Sequence, residues 1–335
     1  MEKKKSNKLS ILLLVIVAFI VIFFSLKDNL DSAIDYLLNM NYSWILLSVI
    51  LVLLYIFFQS LSQYRFLKEV KKDYKLSSCL KLMTIAMFFN AITPFSSGGQ
   101  PFEMYLLNKE GIKVSDSANA LLQNFITFQF SLIFMGLISI VFNKFLYIIP
   151  NDLVLKKIVI LGFIINVSVM LIILLLSRGK SLNTKIFNKI FNFIFSFKFI
   201  KNREQKRKKA EKTLDDFYNS TAIMKNNLKN TILSIIFNTL ALVCLYMVPF
   251  FVFKAFGSEI RIIDSIVLSA YTFLIGSFVP IPGGTGGLEY GFMTFFGVYA
   301  EGGLLSSAML VWRLLTYYLG MIIGGITLVT YRRKE

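Results

Sequence analysis

The fold of this chain is decided by two breaks in apolar sequence, TPFSSGGQP at residues 93–101 and PIPGGTGG at residues 280–287. The apolar regions that they interrupt run over about 82–107 and about 263–299. Beyond the first break about 10 Å of helix remains before the polar run 108–111, and beyond the second about 20 Å remains. Neither arm crosses a hydrocarbon core of about 30 Å. Both regions are therefore predicted to be re-entrant hairpins that leave the membrane by the face they entered.

The rest of the apolar sequence falls into stretches long enough to span a membrane. The chain has 335 residues, is 56% hydrophobic and has a mean hydropathy of +0.67, above the 45–50% apolar content of soluble domains. We predict a single all-α polytopic membrane domain over residues 1–335, with about six full spans and two broken-helix hairpins. The predicted spans are about 9–26, 44–61, 118–142, 158–176, 231–253 and 304–330.

Basic residues set the predicted orientation. The net charge is +17, which in a soluble chain would suggest nucleic acid. Here 29 lysines and arginines fall in the segments placed inside and 6 in those placed outside, if the N-terminus is cytoplasmic. This asymmetry follows the positive-inside rule, so no nucleic-acid partner is expected. Both termini and a basic amphipathic insertion over about 178–229, predicted as a helical hairpin on the membrane surface, are placed in the cytoplasm.

The two hairpins form the centres of a predicted inverted repeat. Repeat 1 covers about 44–142 and repeat 2 about 231–330, and each hairpin has one full span on either side. The predicted topology opens the first hairpin to the cytoplasm and the second to the outside. A shift of 186 residues places Pro94 on Pro280, Gly98 on Gly284 and Glu103 on Glu289. Opposite orientation with broken helices is typical of transporters.

The breaks also contain the candidate site residues. Non-helical backbone at membrane depth needs protein or a water-filled cavity to satisfy it, and helix N-termini attract phosphate. The chain has no histidine and two distant cysteines, Cys79 and Cys244, so we expect no metal and no cofactor. The candidate lipid-binding residues are Asn90, Pro94, Gly98, Gly99, Gln100, Glu103, Pro280, Pro282, Gly283, Gly284, Gly286, Glu289 and Arg313.

Three ionisable residues in this set have two interpretations each. Glu103 and Glu289 are predicted in the first turns of the arms that follow the breaks, where they either cap the helices or bind a proton or a cationic headgroup. Arg313 lies inside the last span and either pairs with one of these carboxylates or binds a lipid phosphate. Gln123, Asn124 and Gln129 either line the same cavity or join helices.

The stretches FFNAITPFSSGGQPFEMYLLNKEG (88–111) and PIPGGTGGLE (280–289), with an arginine in the last span, resemble the lysylphosphatidylglycerol synthetase transmembrane region. This flippase-like family occurs in bacterial and archaeal membranes, and the resemblance covers about 9–330. It implies translocation of aminoacylated phosphatidylglycerol across the plasma membrane and resistance to cationic peptides. The family's aminoacyl transfer belongs to a soluble C-terminal domain. The chain ends five residues past its last predicted span, so we expect that domain to be absent and expect no enzyme activity.

The sequence therefore predicts a stand-alone lipid flippase whose partner is a membrane lipid. That lipid is an anionic or aminoacylated phospholipid or a polyprenyl-phosphate lipid. Three alternatives stay open: a phosphatidylglycerol lysyltransferase-type enzyme, a secondary transporter of a small solute, and a scaffold for a partner lipid synthase. A homo-oligomer is also open.

Overall fold

The computed structural model describes residues 30–93, 96–149, 153–178, 208, 211–212, 215, 227–276 and 286–332. These residues form helices joined by short loops, with no strand among them. The helices are α1 (Leu30–Asn39), α2 (Tyr42–Val70), α3 (Leu76–Ala91), α4 (Gly99–Lys109), α5 (Val114–Leu146), α6 (Leu153–Arg178), α7 (Leu228–Ala255), α8 (Ile262–Gly276), α9 (Gly287–Phe296), α10 (Gly302–Arg313) and α11 (Leu319–Arg332). A π-helical turn over Leu314–Tyr318 joins α10 to α11.

Five of the described helical segments are long and apolar enough to cross a membrane: α2, α5, α6, α7, and α10 with α11 counted together. They confirm the all-α polytopic fold and correspond to the predicted spans 44–61, 118–142, 158–176, 231–253 and 304–330. The predicted span 9–26 and almost all of the insertion 178–229 lie outside the described residues. Helix α2 continues to Val70, well past the predicted end, because the polar residues after Leu61 still follow helical geometry.

The two broken regions each form a pair of short helices. Helices α3 and α8 contain 16 and 15 residues, about 24 Å and 23 Å at 1.5 Å per residue. The helices that follow the breaks, α4 and α9, contain 11 and 10 residues. No member of either pair reaches the roughly 30 Å of a hydrocarbon core. The structure thus has the short, broken helices that the hairpin prediction requires, and the faces by which they enter stay predictions.

Each half of the molecule contacts the other extensively. Helix α2 packs along α7, α3 packs against α11, and α8 packs against α5. Glycines allow the closest of these approaches. A Cβ on Gly324 of α11 would stand 2.1 Å from the Thr84 carbonyl oxygen of α3, and one on Gly136 of α5 would stand 3.1 Å from Leu274 Cδ1 of α8. If repeat 1 is exchanged with repeat 2, the pair α3–α11 becomes α8–α5 and the pair α2–α7 stays the same. The inverted orientation itself stays a prediction.

Buried amides and hydroxyls join the spans. Ser62 of α2 donates to Asn124 of α5 at 2.6 Å. Asn238 of α7 donates to Thr127 of α5 at 3.0 Å. Because lipid offers these groups no water, their bonds hold helix pairs together. The structure therefore places Asn124 in helix joining, the second of the two roles predicted for the amides.

The other two amides also bond within the helical scaffold. Gln129 of α5 donates to Asn166 of α6 at 2.9 Å, and Asn166 donates in turn to the Leu274 carbonyl of α8 at 3.3 Å. Gln123 donates to Asn119, one turn earlier on α5. Gln129 thus links two helices, whereas Gln123 makes its bond inside its own helix.

Candidate functional site

The second hairpin holds its carboxylate at the start of α9. Gly286, at φ +88°, precedes the helix in a conformation that favours glycine. Its N–H donates to Glu289 Oε2 at 2.6 Å, which closes a capping interaction across the first turn. The prediction that Glu289 lies in the first turn of this arm is confirmed. A carboxylate at a helix N-terminus also meets the positive end of the helix dipole.

The other oxygen of this carboxylate meets the arginine of the last span. Arg313 Nε lies 2.7 Å from Glu289 Oε1, and both side chains are buried, with residue exposures of 5% and 7%. The guanidinium carbon also lies 4.5 Å from the centre of the Tyr317 ring, within cation–π range. The two structural interpretations, capping for Glu289 and ion pairing for Arg313, are thus realised together in one arrangement.

A π-helical turn follows Arg313 immediately. Leu314–Tyr318 form this turn inside a span that the sequence predicted as uninterrupted. The extra residue that a π turn inserts shifts the side chains after it, and such turns often occur at functional sites. Here the shift accompanies the placement of the Tyr317 ring beside the guanidinium, and the Tyr317 hydroxyl donates to the Ala91 carbonyl oxygen of α3 at 2.9 Å. This tyrosine therefore connects the ion pair to the end of the first hairpin's leading helix.

In the first hairpin, side chains that precede α4 along the chain cap the start of that helix. The N–H of Gly98 donates to Thr93 Oγ1 and the N–H of Gly99 donates to Asn90 Oδ1, both at 2.8 Å. A Cβ at Gly99 would stand 2.5 Å from that Asn90 oxygen, so glycine is needed for the close approach. Side chains of this chain thus occupy two N–H donors of α4. A phosphate would have to displace Asn90 and Thr93 to reach them.

Glu103 occupies a different environment from Glu289. Helix α4 begins at Gly99, two residues earlier than predicted, so Glu103 lies beyond the first turn. The predicted first-turn position of Glu103 is wrong, and the capping interpretation, one of the two given for it, falls with that position. The residue is buried, with an exposure of 5%. Gln63 of α2 donates to Glu103 Oε1 at 2.8 Å. Within the described residues, no lysine or arginine pairs with this carboxylate.

The remaining candidate residues divide into two groups. Gln100 is exposed on α4. The others, Pro94, Pro280, Pro282, Gly283 and Gly284, lie outside the described residues. Among the residues that the structure does describe, no group of three or more cysteine, aspartate or glutamate residues is arranged to hold a metal ion.

Sequence reasoning missed two members of the site. Gln63 was assigned to a loop because the predicted span ended at Leu61, although Gln59 and Gln63 are spaced one helical turn apart. Tyr317 carried no signal beyond its place one turn after Arg313. A separate cavity of about 490 Å³ lies at the junction of α5 and α6, with Lys144, Lys156 and Tyr271 in its lining. Neither Glu103, Glu289 nor Arg313 lines it.

The family of the protein follows from comparison with known sequences. The family model for the lysylphosphatidylglycerol synthase TM region matches residues 10–324, nearly the whole chain. The protein belongs to this family. The match confirms the resemblance carried by the two broken regions, and it includes every residue of the site described above. Comparison with curated proteins gives no match.

Proposed function

We propose that this protein moves a polar lipid between the leaflets of the plasma membrane as a multi-pass flippase with both termini in the cytoplasm. The observation that carries the proposal is the buried Arg313–Glu289 pair, which links a broken helix to a π turn in a member of a lipid-related family. A buried charge pair is a poor device for stability alone. In a membrane, ionisable groups of this kind usually mark a transport pathway.

The substrate class follows from the chemistry of the site. An anionic phosphate is the natural ligand for a guanidinium, which offers several donors in a planar arrangement. The lipid phosphate would compete with Glu289 for Arg313, so the pair would open when the headgroup arrives and close behind it. An anionic or aminoacylated phospholipid and a polyprenyl-phosphate lipid both supply such a phosphate. An amine on the headgroup would meet the released Glu289 carboxylate.

Reconstituted liposomes test the proposal. A panel of fluorescent lipids is placed in one leaflet, and chemical quenching from outside follows their movement. The wild type is compared with the double variant Arg313→Gln/Glu289→Gln, which removes both charges of the pair and leaves no buried unpaired ion. We expect the double variant to insert and fold but to move lipid at least about tenfold more slowly, a loss of about 1.4 kcal/mol or more of transition-state stabilisation.

The chain offers a matched control for this experiment. Arg261 and Asp264 form another described ion pair, with Arg261 Nε 2.7 Å from Asp264 Oδ2; Arg261 precedes α8 and Asp264 lies in its first turn. The variant Arg261→Gln/Asp264→Asn removes the same two charges elsewhere and should translocate lipid normally. Equal rates for the wild type and the site variant, or equal losses for both variants, would refute the proposal.

The transferase alternative is tested separately. The purified protein is incubated with lysyl-tRNA and phosphatidylglycerol, and the lipid products are separated. We expect no lysyl-phosphatidylglycerol, because the site contains no histidine and its two carboxylates are engaged by Gln63 and Arg313. Formation of that lipid would make the protein an enzyme.

A further inference from the structure

Glu103 is a buried carboxyl group that the proposed lipid pathway leaves without a role. Only one of its oxygens, Oε1, receives a hydrogen bond from the described residues, and the donor is the uncharged amide of Gln63. The amide nitrogen of Gln59, one turn away on the same face of α2, is also buried and has no hydrogen-bond partner in the part of the chain that the structure describes. The site thus combines a carboxyl with a free oxygen and an unused buried donor.

Among the described residues, no positive charge pairs with Glu103. The charge of Glu103 acts on Tyr74, in the loop before α3, and on Cys79 of α3. Glu110, after α4, acts on both of these groups, and Tyr331 of α11 acts on Tyr74. All four are acids, so none of them stabilises a carboxylate. Lys71 approaches the same end of the molecule, but its ammonium donates to the backbone oxygen of Glu110 at 2.9 Å.

The energetics of burial favour the neutral acid at this position. Removing a carboxylate from water without a cation costs several kcal/mol, and a group in that position takes up a proton instead. A single amide donor offsets only part of that cost. Glu289 is equally buried, but Arg313 provides its counter-charge. Glu103 and Glu289 thus differ in the partner of the carboxyl group and not in the burial of the side chain.

We propose that Glu103 is a proton-binding site through which the protein couples its transport to the proton gradient. One proton binds Oε2 when Glu103 faces one side of the membrane, the neutral acid is buried against Gln63, and the proton leaves when the group opens to the other side. No bond other than this O–H forms or breaks. The coupling rests on the proposed lipid translocation, whereas the proton site itself does not.

The site is tested first without transport. Infrared spectra of the purified protein near neutral pH should show the C=O stretching band of a protonated carboxylic acid. The band should vanish in Glu103→Gln, which has nearly the shape of the neutral acid and keeps the acceptor for Gln63, so the fold should survive. Glu110→Gln is the control, because it removes a less buried carboxyl that follows the C-terminal end of the same helix and should leave the band in place. A wild-type spectrum without this band would overturn the proposal.

The coupling is tested in liposomes with an imposed pH gradient. With one proton moved per lipid, a gradient of one pH unit shifts the final leaflet ratio of the labelled lipid by up to about tenfold. The wild type and Glu110→Gln should show this shift. Glu103→Gln should lose it while still unfolding at the wild-type temperature. Lipid movement that ignores the gradient in the wild type, or that follows a sodium gradient instead, would overturn the coupling.

The two tests separate failure of this inference from failure of the proposed function. If the infrared band is present and depends on Glu103 but no lipid of the panel moves, the proton site stands and the lipid proposal fails. If lipid moves but the band is absent, the flippase stands and the proton site fails.

Discussion

The two hairpins of this protein share a framework and differ in how each treats its buried carboxyl group. Both have a leading helix of similar length, a glycine-containing break and a short second helix. In the second hairpin, Glu289 caps its own helix and pairs with Arg313. In the first, Asn90 at the end of the preceding helix and Thr93 in the break cap the helix, and Gln63 is the one described residue that hydrogen-bonds Glu103. Related frameworks can thus carry a fixed charge pair in one half and a titratable group in the other.

Aromatic side chains pack each hairpin in a different arrangement. The second hairpin is set in an aromatic stack in which the Phe292 ring lies 4.4 Å from Phe296 and 4.8 Å from Trp312. In the first hairpin, Phe89 stacks on Phe102 at 3.7 Å between α3 and α4. The stack around Phe292 reaches Trp312, next to Arg313, so the second half is bound to the last span. The first hairpin also meets the last span, because α3 packs against α11. The two hairpins therefore differ in their aromatic packing and in the partner of the carboxyl group, and both contact that span.

The largest expected effect concerns the orientation of the halves. In a variant with Cys79→Ser and Cys244→Ala, single cysteines at Lys109 and Ala300 should react from opposite faces of the membrane with a reagent that does not cross it. Cys79→Ser keeps a donor for the Ser60 carbonyl, which Cys79 reaches at 3.3 Å. Reaction from the same face would end the comparison, because the hairpins would then share one orientation.

Loss of the arginine should produce the largest change in stability. Arg313→Gln leaves Glu289 buried without its counter-charge and should lower the free energy of unfolding by about 3–5 kcal/mol. Adding Glu289→Gln should restore part of that loss. Chemical or thermal unfolding in detergent measures both. A stable Arg313→Gln protein would show that the pair contributes little in the second half.

The contact between α3 and α11 should affect stability less, and substitutions at two adjacent glycines of α11 measure it. A Cβ on Gly324 would stand 2.1 Å from the Thr84 carbonyl oxygen, which is backbone and cannot rotate away, whereas one on Gly325 would stand 3.4 Å from the Phe88 ring. Gly324→Ala should therefore lower stability by about 1–3 kcal/mol, and Gly325→Ala should change it by less than about 1 kcal/mol. Similar losses for both would mean that α3 and α11 do not meet at Gly324.

The smallest effect should come from the distant cap. Asn90→Ala removes the acceptor for the Gly99 N–H and should cost about 1 kcal/mol. It should also loosen the start of α4, seen as faster amide hydrogen exchange confined to that helix. Gln100→Ala, a change at an exposed neighbour, is the control and should leave exchange unaltered. Unchanged exchange in Asn90→Ala would show that the Asn90 side chain does not hold the start of α4, and the contrast between the two caps would fall.

The apolar pattern alone was sufficient for the architecture of the described residues. Five predicted spans became helices, and both breaks became pairs of short helices, because membrane thickness fixes the length that a span must have and glycine and proline interrupt it. The predicted helix ends were less accurate where polar residues continue a helix. Gln63 lay beyond the predicted end of its span because hydropathy falls there while helical geometry does not.

The candidate residues show where sequence reasoning ended. It identified Glu103, Glu289 and Arg313, because an ionisable residue in an apolar stretch is conspicuous at any position. It left two partners open for Arg313, since a guanidinium fits a carboxylate and a phosphate alike. It also treated the two glutamates as equivalent, because each follows a glycine-rich break in the same way.

By itself the sequence determined the all-α membrane fold, the two breaks and the three ionisable residues at their ends. The tertiary structure decided that Glu289 receives Arg313 and that Glu103 receives Gln63. Arg313 comes from α10 and Gln63 from α2, so each partner lies on a different helix from its glutamate. Pairing of this kind depends on which helix faces meet in space, and a π turn of five residues was enough to alter one of those faces. Periodicity and hydropathy describe each helix separately, so neither contains that information.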